Sequence, residues 1–359
     1  MISIFLPNFE GGGAEKVMIN LGKAFAAKGH SCEFVVADSR GPLRELHDLD
    51  VIDLKTGRIR YSIIPLAKYL IERKPDVLVA AHERANVCAM IARQLAGSRT
   101  KVVVTCHIDY SYTNRNDKSI NFKITKLLAR HYYMKAIKVV TVSEGAKQEI
   151  VKVLKLNPDH IKVIYNPVIS NDLFLNSDAT LEDPWLASNK LPLIVAVGSL
   201  THHKDHSTLI SAFAEFRKIV ESKLVILGEG PLRAGLEQKI RTLNIADYVH
   251  MPGFVLNPYA YLKRASCFVL SSIWEALPTV LIEALALGVP IVSTYCAHGP
   301  TEILNNGEYG YLVPPCNAEL MKNAIVEAFK HPRSRPSEKH LEKFSLDYSA
   351  ARYIELFNE

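Results

Sequence analysis

No run of about 18 uncharged apolar residues occurs in this 359-residue chain, so no membrane-spanning helix is expected. Met1 leads straight into the strand-like Ile2-Ser3-Ile4-Phe5-Leu6 with no charged region before it, so no secretory signal is read there and a cytosolic protein is expected. The six cysteines, Cys32, Cys88, Cys106, Cys267, Cys296 and Cys316, include no Cys-x-x-Cys pair. Most sit in apolar runs and are read as reduced core residues rather than disulfides or zinc ligands. A Gly-x-Gly-x-x-Gly fingerprint is also missing, because the sixth position counted from Gly11 is Lys16, which weakens a nicotinamide-binding reading. No basic zipper, zinc finger or aromatic single-strand motif accompanies the positive charge, so nucleic acid is not expected as a partner.

What is present begins with length and patterning. With 48% hydrophobic residues the chain can bury large cores, yet it exceeds the size at which one core usually keeps growing, so two domains are expected. The net charge of +6 divides unevenly. Residues 1–168 hold 26 Lys and Arg against 16 Asp and Glu, whereas residues 169–359 hold 17 against 21. A basic first half suits an anionic partner such as a phosphate-bearing acceptor or an acidic membrane surface.

Apolar strand-like runs at 2–6, 33–37, 77–80, 102–105 and 138–142 alternate with helical patterns such as 14–28, which predicts a parallel α/β sheet. The rhythm restarts at 193–198, with a helix over 207–220 and further strands at 223–228, 267–271 and 290–293. Between the two series, residues 170–189 show no sustained period and contain Pro184, and the inter-domain connection is expected there. Open α/β sheets bind ligands outside the carboxyl ends of their strands, so two such domains facing each other are expected to form a cleft. Residues 347–357 read as an amphipathic helix.

Two segments carry chemistry. Glu10-Gly11-Gly12-Gly13-Ala14-Glu15-Lys16 follows a strand and opens a helix, where glycines let backbone amides approach a diphosphate at the positive helix end. The same glycines would serve an ordinary tight turn. In Ser271-Ser272-Ile273-Trp274-Glu275-Ala276-Leu277-Pro278-Thr279-Val280-Leu281-Ile282-Glu283, two glutamates eight residues apart flank a proline suited to the first helical position. Glu275 then sits in the loop before the helix and Glu283 about a turn inside it. Isolated glutamates more often pair with a lysine or face solvent.

These segments, together with the strand-ending Gly198, Lys204 and Gly228-Glu229-Gly230-Pro231, stand in the order and at intervals similar to the retaining glycosyltransferase family 4, and the match covers almost the whole chain. The resemblance implies the GT-B fold: an α/β protein of two facing Rossmann-like domains, here 1–168 for the acceptor and 169–340 for the nucleotide sugar, with 341–359 returning to the first domain. It implies that Glu283 binds the donor ribose, Glu275 the transferred sugar, the Gly12 and Gly13 amides the diphosphate, and Lys204 the departing phosphate. Gly230, Leu281 and the backbone around Pro252 and Phe254 join the donor-binding set, the last two beside the base. His107, at the end of the strand 102–105, would contact the donor sugar and the acceptor side. Gly299 and Glu302, in Gly299-Pro300-Thr301-Glu302-Ile303-Leu304, resemble a variant found in N-acetylhexosamine transferases.

The expected activity is transfer, with retention, of a hexose or N-acetylhexosamine from a UDP-sugar to a lipid-linked or growing saccharide, without a metal or other cofactor. A UDP-sugar epimerase and a non-catalytic nucleotide-sugar-binding protein are the alternatives. One departure stands out: the family usually has arginine after the strand-ending glycine, and here Ser199 occupies that place in the donor-binding set, so either Lys204 acts with the Ser199 hydroxyl or another cation such as His202 or Arg233 substitutes. Asp48-Leu49-Asp50 has Asp-x-Asp spacing but lies in a charged stretch read as a surface loop. Finally, Arg115, Lys118, Lys123, Lys126, Arg130, Lys135 and Lys138 are interleaved with apolar residues from Ile120 to Tyr133, a pattern that suits an in-plane helix on an anionic membrane at the inner face of the cell membrane, the alternative being an ordinary solvated helix covering the first domain.

Overall fold

The structure, a computed structural model, describes the chain apart from Gly11, 46–48, 108–118, Glu182, 188–190 and Ala297. Asp48, Arg115 and Lys118 therefore lie outside the described residues. The chain forms two units, Met1–Val168 with Lys343–Glu359, and Ile169–Glu342.

In the first unit β1 (Ile2–Leu6), α1 (Gly13–Ala27), β2 (Cys32–Val36), β3 (Val51–Asp53), α2 (Ile63–Arg73), β4 (Val77–Ala81), α3 (Glu83–Leu95), β5 (Lys101–Cys106), α4 (Ile120–Tyr132), β6 (Lys138–Thr141), α5 (Glu144–Leu154) and β7 (Ile161–Val163) follow one another. The seven strands pair in the order β3-β2-β1-β4-β5-β6-β7, all parallel. Their central members are continuous apolar runs because helices cover both faces of the sheet. One face packs Leu66, Leu70, Met90 and Ile150, and the other packs Val17, Leu21 and Phe25. Ser119 and Ser143 start α4 and α5 by accepting from the Phe122 and Ala146 amides.

The C-terminal helix Leu346–Phe357 completes the second of these faces. Tyr353 and Phe357 pack on Phe25 with ring centroids 6.2 and 5.6 Å away, and Ser349 donates to the Tyr165 carbonyl. Residues 341 and 342, expected to belong to this return, stay with the second unit as the end of the short helix Glu338–Glu342, where His340 bonds the Ile303 carbonyl.

The second unit runs α6 (Asn171–Ser177), β8 (Leu193–Val197), α7 (His206–Arg217), β9 (Lys223–Leu227), α8 (Arg233–Thr242), β10 (Val249–Gly253), α9 (Tyr259–Arg264), β11 (Cys267–Leu270), α10 (Thr279–Ala286), β12 (Ile291–Thr294), α11 (Gly299–Ile303), β13 (Tyr311–Val313) and α12 (Ala318–Lys330). Its six parallel strands are ordered β10-β9-β8-β11-β12-β13. The polar stretch expected to be the connection is instead part of this unit. Within it α6 packs against α9, Asp183 accepts from the Tyr261 hydroxyl, and Trp185 stacks on His250. Polar and ring anchors hold the stretch, so it carries no apolar period. None of the six cysteines forms a disulfide; Cys88, Cys106, Cys267 and Cys296 are buried, whereas Cys316 is exposed and departs from the core reading.

In both sheets the strand order reverses beside the first strand, between β1 and β4 and between β8 and β11. A crevice opens at such a point because the connections leave to opposite sides, and ligands of open α/β sheets bind there.

Candidate active site

At the second unit's switch point the loop after β8 meets the loop after β11. Lys204 Nζ donates to Glu275 Oε1 at 2.5 Å, and Ser272 Oγ donates to the same oxygen at 2.7 Å. The two side chains are 16% and 12% exposed, so the ion pair is largely withdrawn from water. The loops are also joined along their backbones: Ser271 Oγ donates to the Lys204 carbonyl, the Ile273 amide donates to the His203 carbonyl, and His203 stacks on Trp274 at 4.6 Å. Gly198 lies under the aliphatic stem of Lys204, where a Cβ would come within 3.2 Å of it.

Glu283 falls on α10 as expected, 3% exposed, while Pro278 is the N-cap rather than the first helical residue. Leu281 is wholly buried, so its side chain belongs to the core. Glycine is required at 299 for packing, because a Cβ there would lie 2.7 Å from the Ala276 carbonyl oxygen and the Leu277 Cα. Gly230 lies equally close to the Leu200 backbone. Glu302 sits in the short α11. Pro252 occupies the edge strand β10, where a missing amide is tolerated, and Phe254 just beyond it is 53% exposed.

Of the candidates for the absent arginine, Arg233 is committed to Glu229, Glu237 and the Met251 carbonyl, and His202 is exposed. Ser199 is exposed, with its hydroxyl 3.1 Å from that of Thr201. Sequence reasoning passed over His206, which opens α7 beside Gly198 and Ser199. It is 4% exposed, and burial foremost, with the charge of Lys204, pushes its pKa down to about 4 against the opposing pull of the Gly198 and Ser199 backbone.

The first unit repeats the arrangement at its own switch point. Gly12 caps α1 and Gly13 begins it, which leaves amides of the first turn pointing outward. The position of a Cβ on Gly12 is taken by the Glu15 carboxylate, whose Oε2 would lie 2.2 Å from it. Glu15 Oε1 in turn meets His82 Nε2 at 3.0 Å, across the β1/β4 crevice. His107, at the end of β5, places Nε2 3.0 Å from the Thr105 hydroxyl, and its Nδ1 is buried with no partner among the described residues. Burial foremost, with the charge of His82, pushes the His107 pKa down to about 3, so the ring is neutral at ordinary pH. Glu15 and His82 were not singled out from sequence, although Glu15 stood in the glycine-rich motif.

Charged and polar side chains thus meet across both switch crevices, the places where open α/β sheets bind ligands. The fold is that of the GT-B glycosyltransferases: a structure of Anabaena Alr3699/HepE in complex with UDP and glucose matches at TM-score 0.83, covering 100% of this chain and 99% of that one at 18% identity. Residues 11–171 match Glycosyltransferase Family 4, and residues 178–345 match Glycosyl transferases group 1. The chain thus carries a Glycosyltransferase Family 4 domain followed by a Glycosyl transferases group 1 domain, and it is a glycosyltransferase. It is 28% identical over 352 residues, 95% of this chain and 93% of the relative, to the N-acetylgalactosamine-N,N'-diacetylbacillosaminyl-diphospho-undecaprenol 4-alpha-N-acetylgalactosaminyltransferase of Campylobacter jejuni. A second enzyme of that organism, the GalNAc-alpha-(1->4)-GalNAc-alpha-(1->3)-diNAcBac-PP-undecaprenol alpha-1,4-N-acetyl-D-galactosaminyltransferase, is 25% identical and covers 100% of this chain and 98% of its own length.

Proposed function

We propose that the enzyme passes a hexose or N-acetylhexosamine from a UDP-sugar to a lipid-linked or growing saccharide, with retention at the anomeric carbon and without a resident metal. The observation that carries this reading is the Lys204–Glu275 pair held between the β8 and β11 loops. An ammonium there gives a departing phosphate the positive charge it needs, and the drier the site the more that charge counts. On donor binding Lys204 turns to the phosphate and Glu275 is released to the hydroxyls of the transferred sugar. With Glu275 bound to hydroxyls of the transferred sugar, departure and attack take place on one face of the ring in this reading, which gives retention. Glu283 takes the ribose, and His107 offers Nδ1 to a substrate hydroxyl. The N-acetylgalactosaminyl and undecaprenol terms in the names of both Campylobacter relatives support the donor and acceptor classes.

Thermal shift against a panel of UDP- and GDP-sugars tests the donor, because a ligand that binds only the folded form raises apparent stability with its affinity. Stabilisation by UDP-N-acetylhexosamines or UDP-hexoses and none by GDP-sugars is expected. Transfer that depends on an added acceptor, giving an anomeric coupling constant that matches the donor's, completes the reading; donor isomerised without any acceptor overturns it.

No helix among the described residues is long and apolar enough to cross a membrane. Contact with an anionic membrane, at its inner face, is proposed for α4 instead: Ile120, Ile124 and Leu127 are 74%, 50% and 68% exposed on the helix that also carries Lys123, Lys126 and Arg130. Flotation with phosphatidylglycerol vesicles is expected, and it should be lost on replacing those three cations by glutamine. Flotation unchanged by the substitutions rejects the membrane role of α4.

A further inference from the structure

His82 holds a backbone conformation of φ 76° and ψ 142°, on the left-handed side that glycine tolerates and a branched-ring residue does not. Such a conformation costs about 1–3 kcal/mol and persists only where the surroundings require it. Glycine at this position would remove the strain, so the imidazole itself is what the position retains. That imidazole leaves the end of β4 and meets Glu15 of α1 across the switch crevice, and Glu15 in turn needs the bare Cα of Gly12 beneath it. Three unusual features, an absent side chain, a strained backbone and a long-range carboxylate–imidazole bond, thus serve a single contact.

The neighbouring strand explains what the contact is for. Thr105 donates its hydroxyl proton to the Ala80 carbonyl at 2.9 Å. Its oxygen is then the acceptor for His107 Nε2, so the His107 ring proton sits on Nε2 and Nδ1 is left as a lone pair with no partner among the described residues. A neutral imidazole of one tautomer, with Nδ1 buried and unpartnered among the described residues, can accept from a hydroxyl that reaches it.

We infer that Glu15 and His82 are a positioning pair for His107, fixing the polar wall beside its ring so that Nδ1 is presented to the substrate; this rests on the transferase reading above, in which His107 is a substrate ligand. The titratable groups around His82 are Glu15 from α1, hydrogen-bonded to it, His107 just past the β4–β5 ladder that pairs Ala81 with Thr105, and Glu83 of its own helix, next to the exposed Arg84. Glu83 has Oε1 buried without a partner among the described residues, and burial pushes its carboxyl up.

For His82, burial opposes the charged form, but the hydrogen bond and charge of Glu15 outweigh it and the pKa is raised. For Glu15, burial again opposes the charge and His82 outweighs it, leaving the pKa lowered. The pair's contribution is therefore complete between the ordinary values of 4.5 and 6.5, fades as pH rises through the raised His82 value, and fades again as pH falls through the lowered Glu15 value.

The pH dependence of kcat/KM in the full-length enzyme tests this. Wild type should decline on an alkaline limb, and Glu15→Gln should move that limb to lower pH and reduce kcat/KM by about tenfold to a hundredfold, the scale of a small misplacement of a substrate ligand. His82→Gly should lose as much turnover, while the relieved backbone offsets part of the stability lost by stranding the Glu15 carboxylate. In a His107→Ala background Glu15→Gln should cost nothing further, because a positioning residue acts only through the group it positions. Losses that multiply in the double variant, or full turnover in His82→Gly, overturn the inference. Failure of the wild type to transfer sugar to any acceptor would instead remove the functional reading. Histidine NMR would then still judge the pair, which falls if His82 titrates at an ordinary value that Glu15→Gln leaves in place.

Discussion

Lys204→Ala is expected to lower sugar transfer by about a hundredfold to a thousandfold, the loss seen when a preorganised charge on a developing anion is removed. Glu275→Ala is expected to be as damaging to turnover, by loss of the contact to the transferred sugar. Both substitutions also break a largely buried ion pair and leave the other charge without its counter-ion, a change that costs about 3–5 kcal/mol where water is excluded. With side chains 16% and 12% exposed, the lower end of that range applies here. The larger structural loss should come from Glu275→Ala, because the stranded ammonium loses its carboxylate, whereas in Lys204→Ala the carboxylate still accepts from Ser272. The combined variant separates the two effects. Removing both charges leaves nothing stranded, so urea unfolding of Lys204→Ala/Glu275→Ala should show stability recovered towards wild type while transfer stays absent. If transfer returned with stability, the pair would be a structural bridge, and the phosphate and sugar roles would fall together.

The same pair marks the limit of what could be read in advance. Glu275 and Lys204 were each legible, one from a loop ahead of a proline and the other from its place after a strand-ending glycine. That they bond to each other across 71 residues was not, because no local period encodes a contact between two loops. Glu15–His82 is the same case in the first unit, 67 residues apart, and the left-handed backbone of His82 leaves no trace in residue type. Long buried strands such as β1, β4 and β8 declared themselves as apolar runs. The three-residue edges β3, β7 and β13 were too short to, and β10 contains Pro252, a residue that argues against a strand anywhere but at an edge. His206 was hidden for a different reason: its sequence context is that of an ordinary helix start, with Asp205 accepting from the Thr208 amide, and only the packing shows its ring sealed beside Gly198 and Ser199. In the glycine-rich segments, the residues read as clearances for a ligand are, at Gly12 and Gly299, also clearances for the protein's own carboxylate and backbone.

Tyr353→Ala is expected to destabilise the first unit by about 3–5 kcal/mol, the cost of emptying a large aromatic site in a core. Tyr353 is 3% exposed and stands edge-on to Phe25, which also meets Phe357, so removing its ring opens a space that the flanking rings cannot fill without giving up their own contacts. A helix that only decorated the surface would instead lose about half a kcal/mol or less on such a change. The helix is also held by polar contacts that Tyr353→Ala leaves in place, Ser349 to the Tyr165 carbonyl and Lys101 to the Phe357 carbonyl. The loss should therefore appear as a weakened core and not as a detached terminus. Hydrogen exchange locates it: amides of β1, β2 and β4, which share this face with Phe25 and Tyr353, should lose protection, while those of β8, β9 and β11 keep theirs. Equal loss of protection in both sheets would mean that the helix supports the whole chain rather than the unit on which it packs, and no loss in either would remove it from the core altogether.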